Sequence, residues 1–388
     1  MRRVVCVSAA LAFVIGALAG TMPVAAQTVP RSLEEGGPDA SLKNRKNAWT
    51  VGVVGGLITG TYMRFADELA KALDDGDELR ILPIVSYGAA SNMDDLLYLR
   101  GVDVAVTQSD VFEYFRKERK TPNLENRVNY IIRLPASEVH ILARKEFQSL
   151  EDLKGKKVSF GPAGAGSSLT GAIIFQRLGI KVEAMNINEA EGLRRLRAGE
   201  IAAMIRVIGK PIDVLAKLPA DSGLHFLPVP FTKTFADYYV LGELTHEAYP
   251  TLVPQGQRVD TLGVPAVLAV FNWAKGGDRH RRVERFIERM FTNWEKFQKP
   301  PFHAKWRDIN PAATVPGWNR YFVAEEMLQK IIAASARAPA AQPGGSDRGD
   351  LRQAFNAFLE STGTRNPPRN DAERELLFRE FMSWREKR

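Results

Sequence analysis

The sequence predicts an α/β fold, with parallel sheets flanked by helices in two lobes. Three observations carry that expectation. The first is a strand, glycine turn and helix start at Val51–Tyr62 (VGVVGGLITGTY), and the second is its counterpart at Val158–Ile174 (VSFGPAGAGSSLTGAII). The third is the alternation of short apolar runs with amphipathic stretches after each turn, the pattern of a parallel sheet with helical crossovers. A helix opening carries unpaired N–H groups and a partial positive charge, so each turn is a candidate anion cradle.

Neither turn is a nucleotide loop. Gly55 and Gly60, like Gly161 and Gly166, have the spacing of a phosphate-binding loop, but no Lys follows to reach the outer phosphates. Neither carries G-x-G-x-x-G.

The first half reads strand Val51–Val54, helix Tyr62–Leu73, strand Arg80–Val85, helix Asn92–Leu99 and strand Val102–Thr107. Phe65, Leu69 and Leu73 fall at helical spacing, and the continuous apolar runs suit strands buried on both faces. The second half repeats the logic. It predicts strand Val139–Arg144, a short helix at Leu150–Gly155, the second turn with helix Leu169–Leu178, and strand Val182–Ile187. Helix Glu189–Ala198 and strands Ile201–Ile208 and Leu224–Val229 follow. Val259–Trp273 reads as a return strand to the first lobe. Arg279–Phe297 reads as a helix whose stripe is Val283, Phe286, Ile287, Met290, Phe291 and Trp294.

The ends differ from this core. Arg2 and Arg3, the apolar run Val4–Gly20 and the small residues Val24–Ala26 form a secretory signal, with cleavage expected after Ala26. Residues 27–48 are polar and read as a mobile leader. Ala334–Gly349 is rich in Ala, Pro, Gly and Ser, a linker by composition. It leads to two amphipathic helices, Leu351–Leu359 and Ala372–Trp384, as a helical C-terminal extension.

Composition narrows the functions. Of 388 residues, 45% are hydrophobic and 25% charged, as in ordinary globular proteins. The single cysteine, Cys6, lies in the signal, so the expected mature chain has no thiol chemistry and no disulfide. The five histidines are scattered without metal-ligand spacing, so no metal, catalytic residue or cofactor is expected. The net charge of +8 is mixed with acids, as in RRVERFIERM, which suits solvated helix faces better than nucleic acid. A mild basic surplus favours anionic solutes. No G-x-S-x-G and no His near either turn supports an exported enzyme.

The order of motifs resembles the solute-binding proteins of TRAP transporters, in the TAXI group (TRAP-associated extracytoplasmic immunogenic proteins). The resemblance lies in GGLITGTYMRFADELA, NMDDLLYLRGVDVAVTQSD, LEDLKGKKVSFGPAGAGSS, VPAVLAVFNWAK and FHAKWRDINPAATVPGW, across Val51–Lys330. It implies a type II periplasmic-binding-protein fold of two α/β lobes with a hinge. Lobe 1 is 49–135 with 263–334, and lobe 2 is 136–262. It also implies a periplasmic, monomeric receptor for a small organic anion, partnered by the membrane subunits of a TRAP permease. A sensor feeding a signalling protein is the rival role, kept open by the unusual tail.

Matching positions give the candidate ligand-binding residues: Thr59, Gly60, Thr61 and Tyr62 at the first turn, Gln108 and Ser109 after the third strand, and Ser167 and Ser168 at the second turn. Arg206 and Lys210 depart from the small residues common at that place and suit a carboxylate, including a dicarboxylate or amino acid. Thr61 and Ser167 also suit N-caps without a ligand. Tyr62 suits a cleft lid or a core position. Arg206 suits a carboxylate clamp or a salt bridge, and Lys210 suits contact or simple solvation. Ser91 and Asn92 suit capping of the next helix better than the cleft. Closure is expected about Leu134–Val139 and Leu262–Ala266.

Overall fold

The computed structural model describes residues 38–337. The signal, the first part of the leader and the two expected C-terminal helices lie outside the described residues. Part of the leader is regular: helix α1 spans Pro38–Ala48. The helix numbered α8, Phe322–Arg337, runs past Ala334, so the start of the expected linker is helical.

The chain forms a mixed α/β structure around a long sheet. Its strands are β1 (Thr50–Gly56), β2 (Arg80–Val85), β3 (Val104–Gln108), β4 (Val128–Arg144), β5 (Lys157–Ser159), β6 (Glu183–Met185) and β7 (Ala203–Ile208). β8 (Leu224–Phe226), β9 (Val240–Thr245) and β10 (Arg258–Phe271) complete it. The order is β2-β1-β3-β10-β4-β7-β5-β6, with β8 beside β4 and β9 beside β10. β1 runs parallel to β2 and β3, and β5 runs parallel to β6 and β7. Each half of the sheet is thus a parallel set, as the βα alternation predicts.

Two long strands tie the halves together. β4 has 17 residues and β10 has 14. At about 3.3 Å per residue, such strands are long enough to serve both halves. The first part of β4 pairs with the last part of β10, Ala266–Phe271, which also pairs with β3. The last part of β4 pairs with β7, while Arg258–Gly263 of β10 pairs with β9. Between these regions the register shifts, with Pro265 opposite Ala136 and Ala266 opposite Leu134. The extra residue is Pro135, which lacks a ladder donor and is tolerated at such a bulge. This antiparallel crossing pair between two parallel α/β halves is the type II periplasmic-binding-protein arrangement.

Helices cover both faces. In the first half, α2 (Thr61–Leu73) and α7 (Asp278–Thr292) pack on one face. Their Phe65, Leu69, Phe286 and Met290 join Val51, Val53 and Trp306 in one core. α3 (Ala89–Tyr98) and α4 (Ser109–Lys117) cover the other face, where Met93, Leu97 and Phe112 meet Val54 and Ala105. Alternate residues of β1 therefore feed opposite cores, which explains its unbroken apolar run. In the second half, α5 (Gly166–Leu178) and α6 (Glu189–Arg197) pack on opposite faces in the same way.

Several expectations need correction. The return strand is confirmed, ending at Phe271. β4 begins eleven residues before the expected Val139, at Val128. α4 was not foreseen; Ser109 and Asp110 are its first turn rather than a strand end. α5 starts at Gly166, three residues before Leu169, which puts Ser167 and Ser168 inside its first turn.

Candidate functional site

A cavity of about 50 Å³ lies where the two halves face each other, outside the carboxyl ends of β1, β3 and β7. Open α/β sheets bind ligands at such strand ends. The first half supplies Gly55–Leu57, Gly60–Tyr62, Gly88, Ala89 and Gln108. The second supplies Ala165–Ser167 and Arg206–Ile208, and the crossing strand β4 supplies Ser137.

Three helices open at this cavity. Their N-caps are Gly60 for α2, Gly88 for α3 and Ala165 for α5, and none makes a side-chain capping bond. α4 begins beside it after Gln108, but its first turn carries the Asp110 carboxylate. The alternative reading of Thr61 and Ser167 as N-caps does not hold: they sit in the first turns, after Gly60 and Ala165. The expected capping by Ser91 and Asn92 is corrected too, because both lie inside α3, after Gly88. Hydroxyl N-caps would satisfy their own helix ends. Glycine and alanine cannot, so these ends keep donors and positive potential for another acceptor. One bond is already used across the cleft, from Ser91 N–H to the Gly164 carbonyl at 3.1 Å.

The side chains fit the same purpose. Arg206, on β7, is 5% exposed. Its Nη2 lies 3.1 Å from Glu189 Oε2, while its Nε is buried without a hydrogen-bond partner. The salt-bridge reading of Arg206 holds, and the residue also lines the cavity. Burial draws its pKa down and Glu189 opposes that, yet guanidinium stays charged. Gln108 is fully buried, with both amide atoms unpartnered. Ser167 Oγ accepts from Val207 N–H at 2.9 Å, which leaves its proton to donate. Ser137 Oγ donates to the Tyr62 hydroxyl at 3.2 Å. Burial pushes the Tyr62 phenol up, so it remains a protonated donor. The Gln108 amide lies near enough to influence that phenol, but outside hydrogen-bond geometry.

Of the ten candidates, Gly60, Thr61, Tyr62, Gln108, Ser167 and Arg206 meet at the cavity. The other four do not line it. Thr59 is exposed in the turn before α2. Ser109 Oγ donates to the Tyr238 carbonyl at 3.0 Å. Ser168 Oγ bonds Asn186 Oδ1 at 3.3 Å. Lys210 Nζ reaches away to the Glu243 carbonyl at 2.6 Å. Asn92 is structural: it accepts from Ser86 and donates to the Val106 carbonyl. Gly88 and Ser137 were not anticipated. The Gly88 turn in SYGAASN follows a strand as the other two turns do, so its signal was present; Ser137 has no such local signal.

The halves also meet beside the cavity. Asp110 Oδ2, at the start of α4, accepts from Thr170 Oγ1 at 2.7 Å and Tyr239 OH at 3.1 Å. Burial raises the Asp110 carboxyl pKa, and those two bonds oppose the rise. Gly88 has φ +126°, and a Cβ there would lie 2.9 Å from Ala165 Cα. Only glycine permits that approach between α3 and α5. Among the described residues, no group of three or more His, Cys, Asp or Glu is placed to hold a metal. None of their helices is long and apolar enough to cross a membrane.

The model of the NMT1-like family matches residues 54–296, more than half of the sequence, and these include every cavity-lining residue. The chain belongs to the NMT1-like family. Solved structures are more remote. An ancestral arginine-binding protein bound to arginine is 18% identical, with TM-score 0.40, over 67% of this chain and 97% of its own. The alkanesulfonate-binding protein SsuA from Xanthomonas axonopodis pv. citri, bound to MOPS, is 11% identical, with TM-score 0.38, over 82% and 93%. The effector-binding domain of QuiR in complex with shikimate is 13% identical, with TM-score 0.37, over 62% and 95%. The fold assignment rests on the strand order and the family match.

Proposed function

We propose that the protein is an exported, periplasmic receptor of the TAXI group that captures a small organic anion for a TRAP-type permease driven by an ion gradient. The observation that best supports this role is the convergence of three uncapped helix openings, the Arg206 guanidinium and an unpaired Gln108 amide on one cavity. Such a set replaces the hydration of an anion with fixed donors. Nothing in it resembles a nucleophile with its base, so the protein captures its ligand without transforming it.

The two halves act as lobes, 49–135 with 263–334 against 136–262, and β4 and β10 are the hinge. The shifted register at Pro135 and Pro265 falls within both expected crossing segments. The ligand favours closure only through contacts that improve when α2 and α5 approach. The closed monomer then presents a new surface to the permease.

Thermal-shift screening of the chain from Gln27 onward against small organic acids tests the role. An acid at a hundred times its Kd adds about 2.7 kcal/mol of stability. A hit that is also taken up by cells carrying the receptor and its permease, and lost when either is deleted, supports transport. Binding without receptor-dependent uptake contradicts it and favours a sensory role.

A further inference from the structure

We propose that the cavity selects a small carboxylate with a neighbouring hydroxyl group and rejects the amino acid of the same skeleton. This rests on the receptor role and narrows its ligand. None of the sixteen residues lining the cavity is acidic, and Arg206 is the one charged residue among them. The carboxylates close by are committed elsewhere. Glu189 pairs with Arg206. Glu138 is held by Lys305 Nζ at 3.2 Å and by Lys210 N–H at 2.9 Å. Asp110 is bonded by Thr170 and Tyr239 and faces a separate groove between α4 and α5.

A ligand ammonium would therefore be desolvated among three positive helix ends and a guanidinium, with no counter-charge on the cavity wall. That is a built-in repulsive element, the usual source of discrimination between close analogues. What the wall offers instead is the Gln108 amide, fully buried with Oε1 and Nε2 both unpaired. In either orientation the amide presents one donor and one acceptor. A carboxylate satisfies the donor, and a neighbouring hydroxyl satisfies the acceptor. An oxo acid supplies acceptors only, and a plain fatty acid supplies no second group, so each leaves Gln108 Oε1 unpaired. The volume of about 50 Å³ favours a short skeleton; pockets for drug-sized ligands run to about 300–1,000 Å³.

Calorimetric titration of the chain from Gln27 onward tests this with matched three- and four-carbon sets. These are lactate, pyruvate, propionate and alanine, with 2-hydroxybutyrate, 2-oxobutyrate, butyrate and 2-aminobutyrate. The hydroxy acid should bind best in its set. The oxo and plain acids should be about tenfold weaker, the value of one buried hydrogen bond. The amino acid should be weaker than either. Gln108→Leu should abolish the hydroxy acid's advantage over the plain acid. An amino acid that binds as well as the hydroxy acid, or an advantage that survives Gln108→Leu, overturns this inference while leaving the receptor role intact. If none of the eight binds and no organic anion stabilises the chain in the thermal-shift screen, the receptor role falls with it. If only acids outside these sets bind, the inference is overturned alone.

Discussion

Gly166→Ala separates closing the cleft from folding the protein. Gly166 is the first residue of α5, and Gln108 faces it from the end of β3 across the cavity. A Cβ at 166 would lie 1.9 Å from Gln108 Oε1, 2.6 Å from Cδ and 2.9 Å from Nε2. Ordinary contact begins near 3.4 Å, so the amide must retreat by about 1.5 Å. Gln108 is fully buried and cannot swing into solvent. Overpacking of this kind costs about 1–3 kcal/mol, which weakens affinity by about 5- to 150-fold if it falls on the closed, ligand-bound state. With the lobes apart the same methyl touches nothing across the cleft. A Gly→Ala change at a helical position whose backbone alanine can adopt then stabilises the fold by about 0.4–1 kcal/mol. The two effects have opposite signs. Calorimetry with the best acid from the screen should show the weaker binding, while thermal unfolding without ligand should show an unchanged or raised midpoint. Affinity within twofold of the parent would refute the idea that Gln108 and Gly166 close on each other around the ligand. So would a lower midpoint combined with unchanged affinity.

Three further outcomes are expected. Arg206→Met should weaken anion binding by about 2 kcal/mol, within the range for hydrogen bonds to a charged group. Arg206→Lys should restore only part of this, because a point charge cannot reproduce the guanidinium fork; equal affinities by calorimetry would remove Arg206 from the site. Burial lowers the pKa of His140 to about 3, below its ordinary 6.5. The unfolded chain therefore binds the extra proton between those values, and the contribution of His140, present above pH 6.5, is lost as pH falls toward 3. The full loss is about 3–5 kcal/mol, and His140→Gln should flatten the fall in thermal midpoint between pH 7 and 4.5. Lys305→Met strands Glu138, which is 12% exposed at its side chain, and should destabilise by about 3 kcal/mol. Adding Glu138→Gln should recover most of it in denaturant unfolding; no recovery would argue that the pair is not coupled.

Much of the fold was legible because its signals are local. β1 and α2 follow from an apolar run, a glycine turn and the 65/69/73 stripe, and the return strand follows from Val259–Trp273. What was missed depends on distant partners or weak punctuation. β4 starts in NRVNYIIRL after a polar stretch with no turn glycine, and its length is set by pairing with β10 and β7. α4 was hidden because its N-cap is Gln108, outside the usual capping set. At the site, the turns and Arg206 were readable from residue type. The capping expected of Ser91 and Asn92 fails because a glycine, Gly88, occupies the N-cap instead. Lys210 shows the other limit: its ammonium is drawn to the Glu243 carbonyl, 33 residues away, and no local pattern encodes that.

The most direct test is a crystal structure of the mature chain with the tightest organic acid from the screen. The proposed role predicts the carboxylate in the cavity between the halves, within about 2.7–3.2 Å of first-turn N–H groups of α2 and α5 and of the Arg206 guanidinium, with Gln108 no longer unpaired. A carboxylate bound away from these helix openings, with Arg206 and Gln108 untouched, would contradict it.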